Sequence, residues 1–297
     1  MDDPWVPIPV VPERIVGGDM PGDVISITVT HVRKAEAVFP FVLHRIRARY
    51  DERVVVSCYG GSGAGKSEIA SLIAYFAGAE GIPAYVLSGD NYPRRAPAQN
   101  DAERLNVYRT AGLAALAGSA GYRTEWCRLV KETWDSFDDA APELVEAHPY
   151  LEAYQRGGRE ALRRYLGTQQ EIDYVLVNAI ISAFRSGRNE IAVKRLGRTN
   201  ADVSFELIDF SPVKLLVLEW THGNSEFLRG IDLPILLRST PDETLSHRRS
   251  RSRDSNVDSA FTRLVLRIEQ ELIDSRAGHA AVVVESDGSV TANGRRS

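Results

Sequence analysis

Residues 53–76 read RVVVSCYGGSGAGKSEIASLIAYF, and the fold is decided there. The run 53–59 is short, apolar and β-branched and closes on Gly60 and Gly61, the pattern of a buried strand. Ile69, Leu72, Ile73 and Phe76 then fall on one face of a helix. Between the two, Gly60, Gly65, Lys66 and Ser67 satisfy the spacing G-x-x-x-x-G-K-[ST]. A loop of Gly60, Gly61, Ser62, Gly63, Ala64 and Gly65 lets successive backbone N–H groups turn inward around an anion, and the helix N-terminus adds its positive dipole end at the same point. Lys66 is spaced to reach the β- and γ-phosphates of a nucleotide and Ser67 to ligate Mg²⁺. The alternative is a glycine-rich turn with a lysine that happens to follow. The strand before the loop and the amphipathic helix after it argue against that.

A chain of 297 residues holds one large α/β domain with embellishments or two modest ones. With 36 Lys and Arg against 40 Asp and Glu, the net charge of -4 gives no support for general attraction to nucleic acid or membranes. Cys58 and Cys127 provide neither a disulfide framework nor metal-ligand spacing. The N-terminus MDDPWVPIPVVPER lacks a basic n-region and a long apolar stretch, so a cytoplasmic location is the expectation.

The segment 1–52 reads as an N-terminal appendage: Pro- and Gly-rich to 23, an alternating strand over 23–32, and a helix over 35–50 that Pro40 should start or kink. The core domain is expected over 53–285. A second strand, 84–87, runs into Ser88-Gly89-Asp90-Asn91-Tyr92. An acid at the carboxyl end of a parallel strand lies on the ligand edge of such a sheet, so Asp90 is a candidate base or magnesium partner, with a capping aspartate as the bland alternative. Residues 93–170 read as a helical insertion that helps form a substrate pocket or lid, punctuated by prolines and by glycines at 118–121 and 157–158. Arg94, Arg95, Asp101, Arg104, Tyr108 and Arg109 open it, either as a solvated face or as ligand contacts.

An amphipathic helix follows from Ile172 to Phe184, then a strand 190–193 with 205–208 as its hairpin partner and the cations Lys194, Arg195 and Arg198 between them. The segment 213–220, VKLLVLEW, is a buried strand whose terminal Glu219 is positioned to organise Mg²⁺, or else to cap; His222 beside it reads equally as functional or structural. A further buried strand covers 231–237. After it, the arginines of 247–254 read as a lid over a transferring phosphoryl group, or as a solvated basic run. A final amphipathic helix over 261–272, a strand at 280–284 and a flexible tail at 286–297 complete the chain.

Taken in order, these segments resemble the uridine kinase and phosphoribulokinase branch of P-loop kinases. The likeness rests on GGSGAGKS, SGDNY at 88–92, EIDYVLVNAIISAFRSGRNEIAV, VLEWTHG and RRSRSRD. It implies a P-loop NTPase fold, a mainly parallel sheet flanked by helices, that uses ATP and Mg²⁺. It also implies Asp90 as the base at the acceptor hydroxyl, Glu219 in the magnesium shell and Arg249 and Arg253 as lid contacts. Trp220 stands where that family has glycine, Ser250 replaces the second lid arginine, and the insertion is longer.

The expected activity is transfer of the γ-phosphoryl group to a hydroxyl of a nucleoside or nucleotide-like metabolite, with Tyr92, Arg94, Arg104, Lys194, Arg195, Arg198 and His222 as acceptor contacts. The three cations at 194–198 point to an anionic acceptor. A sugar phosphate or adenylylsulfate is the alternative acceptor, and a non-catalytic nucleotide-binding module the alternative class. No N-K-x-D segment follows a buried strand, which sets a GTPase switch aside. The expected partner is a small molecule, with no nucleic acid or membrane and room for a homodimer.

Overall fold

The computed structural model describes residues 5–7, 11, 15–21, 25–49, 52–197, 199–240, 244 and 259–293. Arg198, Arg249, Arg253 and the rest of the basic run at 247–253 lie outside them.

Strand β1 (Val54–Gly60) is buried along its whole length, which is why it lacks an alternating polar pattern. It sits inside a sheet of order β2-β5-β1-β6-β7-β8, in which β2 (Ala84–Ser88), β5 (Leu215–Trp220), β6 (Leu233–Leu237) and β7 (Val282–Val284) run parallel with it and β8 (Val290–Ala292) is antiparallel. The expected α/β class, a mainly parallel sheet flanked by helices, is the one that forms. Successive residues of β1 serve opposite faces. Val54, Val56 and Cys58 pack with α1 (Val29–Ala48) and α2 (Lys66–Ala79) through Phe39, Val42, Ile69, Leu72 and Phe76. Val55 faces the other layer, where α7 (Tyr174–Arg185) buries Val177, Ile180, Ile181 and Phe184. The hairpin of β3 (Glu190–Arg195) and β4 (Ser204–Asp209) lies beside that layer, as the sequence pairing anticipates.

Helices α3 (Pro97–Ala117), α4 (Thr124–Glu132), α5 (Pro142–Ala147) and α6 (Glu152–Tyr165) fill the insertion, and α8 (Ala260–Ser275) joins their core through Phe261, Leu264, Val265 and Ile268. Gly157 and Gly158 are not breakers: they lie inside α6. A Cβ on Gly158 would fall 2.6 Å from the Tyr108 ring and 2.8 Å from its carbonyl, and one on Gly112 of α3 would fall 2.7 Å from Tyr154. The glycines let the two helix backbones approach, and Tyr108 and Tyr154 fill the contact edge to face at 5.7 Å. Buried Asp139 locks this pair from outside, taking bonds from the Arg109 fork and from the Tyr154 hydroxyl at 2.7 Å.

Three expectations differ. The β-branched stretch 23–32 is no strand among its described residues, because Thr28 caps a helix beginning at Val29: its hydroxyl accepts the His31 N–H, and His31 Nδ1 accepts the Thr28 N–H. That helix does not start at Pro40 but carries it in its interior, with Val38, Phe39, Val42 and Leu43 buried around it. The supposed tail pairs as β8 along β7, with Val284 opposite Val290. Among the described residues no helix is long and apolar enough to cross a membrane.

Gly158→Ala should destabilise the fold by roughly 1–2 kcal/mol, since a backbone carbonyl cannot swing aside and overpacking outweighs the ~1 kcal/mol gained in helix propensity. Gly78→Ala in α2, where an added Cβ meets nothing within 4 Å, should be neutral or stabilising by up to about 1 kcal/mol. Chemical denaturation of the two variants checks the contrast.

Candidate active site

The phosphate-loop residues converge where β1 ends. Gly63 and Gly65 sit at φ 81° and 84°, in the left-handed region open to glycine. Gly60 lies under the next strand, where a Cβ would come 2.4 Å from the Leu237 carbonyl, and at Gly61 one would come 2.6 Å from Gln270 Oε1 on α8. Side chains are therefore excluded at Gly60 and Gly61, where the loop leaves the sheet. Lys66 is buried and folds back to donate to the Gly61 carbonyl at 3.0 Å, with Ser67 buried beside it at the start of α2. A glycine-rich turn at a helix N-terminus, with a lysine directed over it, fits a phosphate tail. His31 of α1 also reaches this loop, its ring 3.2 Å from where a Gly65 Cβ would lie.

The parallel sheet brings the other strand ends to the same edge. Glu219 is in register with Ser88 on one side and Cys58 on the other; it is buried and accepts the Ser88 hydroxyl at 3.2 Å. Ser67 and Glu219 are oxygen donors of the kind Mg²⁺ takes. Among the described residues no group of three or more His, Cys, Asp or Glu side chains is arranged to hold a metal ion. Asp90 is exposed at the centre of a short 3₁₀ turn, Gly89–Asn91. Trp220 fixes that turn from below: a Cβ on Gly89 would sit 1.9 Å from the indole, so the tryptophan at 220 and the glycine at 89 require each other.

A charged cluster that the sequence left scattered adjoins the loop. Arg104 donates to Glu171 at 2.6 Å and to Glu269 of α8 at 3.2 Å, while Glu171 also takes the Gly167 N–H at 2.7 Å and Asn100 at 3.2 Å. Burial works to raise the Glu171 carboxyl, but Arg104, His222 and the Gly167 N–H together hold it below the usual range. Glu269 goes the other way: burial raises it, with Glu171 and Asp90 adding to the rise against Arg104 and Lys66. Its carboxyl thus senses both the loop lysine and the exposed aspartate. His222 packs against Gly167 and edge-on to Trp220 at 5.6 Å. Burial, helped by Arg104, Lys66 and Arg276 and opposed by Glu171, pushes its pKa down to about 4, so the ring is neutral at pH 7.

The remaining acceptor candidates are engaged elsewhere. Tyr92 is fully buried in the apolar layer with Val55, Leu87 and Tyr174. Arg94 donates to the Gln169 carbonyl at 2.7 Å and lies 3.7 Å from Asp173. Lys194 is buried on the Pro93 carbonyl at 2.7 Å, and burial and Arg94 lower its pKa against the pull of Asp173. Arg195 is bound at 2.5 Å by Asp19, at 2.7 Å by Glu206 and at 3.1 Å by the Tyr85 hydroxyl. Neither described cation of the 194–198 stretch stands free for an anionic ligand. Glu171, Glu269, Asp19 and His31 escaped the sequence reading because each acquires its meaning from a distant partner.

No protein-family model matches the chain. Over 261 residues it is 34% identical to the bifunctional alpha-galactosidase/sucrose kinase AgaSK of Mediterraneibacter gnavus, which takes in 88% of this chain and 23% of that protein. The chain thus spans about a quarter of the length of the curated relative it matches. Among solved structures it is similar to a provisionally assigned fructose transport system kinase of Silicibacter sp. TM1040 (15% identity, 84% of this chain, 96% of that one, TM-score 0.48). A possible uridine kinase of Bacillus stearothermophilus aligns with 82% of this chain and 98% of its own at 11% identity and a TM-score of 0.38.

His222 provides a direct check of the cluster's electrostatics. Its ring should titrate near pH 4 by NMR rather than near its ordinary 6.5. Because the unfolded chain takes the proton first, this residue costs stability as pH falls from about 6.5 through about 4 and costs nothing above that window. His222→Gln should flatten the corresponding fall in the urea midpoint.

Proposed function

We propose that the chain is an ATP- and Mg²⁺-dependent kinase that phosphorylates a hydroxyl of a neutral, polyhydroxylated small molecule, a sugar of the sucrose class. The reading is carried by one observation: the phosphate loop with Lys66 and the exposed Asp90 carboxylate stand at the same carboxyl edge of the parallel sheet, at the ends of β1 and β2.

When bound, ATP would supply the phosphoryl group and Mg²⁺ would neutralise charge on it. The N–H groups of 61–67 and the start of α2 would grip the phosphates, and Lys66 would exchange the Gly61 carbonyl for a phosphate oxygen. Ser67 would hold the metal directly, and Glu219, already bonded to Ser88, would order its water shell. Asp90 would accept the acceptor hydroxyl's proton on its carboxylate as the oxygen attacks; among the described residues no hydrogen bond competes for it. Arg249 and Arg253 remain proposed lid contacts.

The acceptor differs from the nucleotide-like anion expected from the sequence. That expectation leaned on Lys194, Arg195 and Arg198; the first two are occupied by the chain's own oxygens, and Arg198 lies outside the described residues. The cluster beside the loop instead holds two carboxyls, one arginine and one neutral histidine, groups that pair with hydroxyls and disfavour an extra negative charge. Similarity across 88% of the chain to a protein described as containing a sucrose kinase supports the same class. A cytoplasmic location, where ATP is at hand, goes with this reading.

Acceptor-dependent ADP release, measured across sucrose, fructose, uridine and ribulose 5-phosphate, should favour the neutral sugars; preference for the phosphorylated compound would reverse the acceptor assignment. Asp90→Asn should reduce kcat by about 10²–10⁴ with ATP affinity nearly unchanged. If it abolished ATP binding instead, Asp90 would not be the base.

A further inference from the structure

We infer that Asp19, in the N-terminal segment, is a positioning residue that holds the Asp90 turn in its productive geometry and couples it to the β3–β4 hairpin. The inference rests on the kinase reading above, in which Asp90 takes the acceptor proton.

Four donors converge on this one carboxylate from three parts of the chain. Oδ1 accepts the Ser88 N–H at 2.7 Å and Asn91 Nδ2 at 3.1 Å, so it grips the residues on both sides of the Gly89-Asp90 pair. Oδ2 accepts the Tyr85 hydroxyl at 2.9 Å and the Arg195 guanidinium at 2.5 Å. Asn91 passes the tie onward, its Oδ1 accepting the Leu196 N–H at 2.9 Å, and Arg195 reaches Glu206 on β4 at 2.7 Å. The carboxylate is 5% exposed, and burial raises its pKa against the opposing pull of Ser88, Arg195 and Tyr85, so it is held by four partners rather than by water.

The geometry around it is equally specific. β2 is the edge strand of the sheet, and the segment bearing Asp19 covers it. Gly18 approaches so closely that a Cβ would sit 3.2 Å from the Val86 side chain. On the opposite side the Trp220 indole occupies the space over Gly89. Asp90 is therefore carried on a turn clamped from two directions, by an indole and by a carboxylate, while its own side chain stays exposed. A base must be held to within a fraction of an ångström of the hydroxyl it deprotonates, and displacement by about 1 Å costs on the order of 10²-fold in rate. An edge strap with no catalytic role would need backbone pairing or apolar cover. It would not need a buried anion aimed at the two residues that flank the base.

The test is a double-variant cycle in the full chain, with sugar-dependent ADP release and the Kd of ATP measured in parallel. Asp19→Asn keeps the size of the side chain but faces an amide toward Arg195 or toward Ser88. It should lower kcat by roughly 30- to 100-fold and leave the Kd of ATP within about twofold, because the phosphate loop is untouched. In an Asp90→Asn background the same substitution should cost less than about threefold, since a residue acting through Asp90 has nothing left to position.

Hydrogen exchange at 88–92 should quicken by about tenfold or more in Asp19→Asn, with α3 and α6 unchanged. If Asp19→Asn does not fold, Asn91→Ala, which cuts one arm of the same network, should give the same non-additive loss. Full additivity in the double variant, loss of ATP binding, or unchanged exchange at 88–92 would overturn the inference alone. Wild-type turnover by Asp90→Asn itself would overturn the base assignment and this inference with it.

Discussion

The structure depends on the absence of a side chain at Gly60. β1 and β6 run side by side with Gly60 in register with Leu237, and the Leu237 carbonyl lies where a Cβ would stand. Only because the strand ends on a bare α-carbon can the loop turn back over the sheet edge and deliver Lys66 and Ser67 into a helix that starts at once. Several elements meet at that turn. α1 touches it through His31, α8 presses on it through Gln270, and β2 and β5 end beside it.

Charge is balanced inside the chain, beside the loop and at the opposite end of β1 alike. Arg104 neutralises two carboxyls, Arg195 two more, and Arg185 and Arg49 both bond to Asp232, which in turn takes the Val55 N–H. Arginine suits these roles because its fork serves several oxygens in fixed directions without losing its proton. Asp90, by contrast, is exposed at the sheet edge.

How much of this was legible in the sequence follows from how local each feature is. The phosphate loop needs only consecutive residues, so its spacing was sufficient, and the buried strands at β1, β5 and β6 announced themselves as apolar runs. Thr28 was hidden because its capping partner is a histidine rather than the usual glutamate or glutamine. Gly157 and Gly158 read as breakers because their purpose is a tyrosine on another helix. The engagement of Arg104 and Arg195 is invisible in the sequence for the same reason. Their partners stand 67 and 165 residues away in one case and 176 in the other, and only the folded chain reveals that the charges are already spent.

The indole of Trp220 lies against Gly89 and edge-on to His222, whereas Trp5 belongs to the α1–α2 core and Trp126 and Trp134 to the helical insertion. One of the chain's four tryptophans is therefore built into the floor beneath Asp90. The protein carries its own optical reporter there: emission from that ring will register any shift of the turn above it, without a label and without altering a residue of the site.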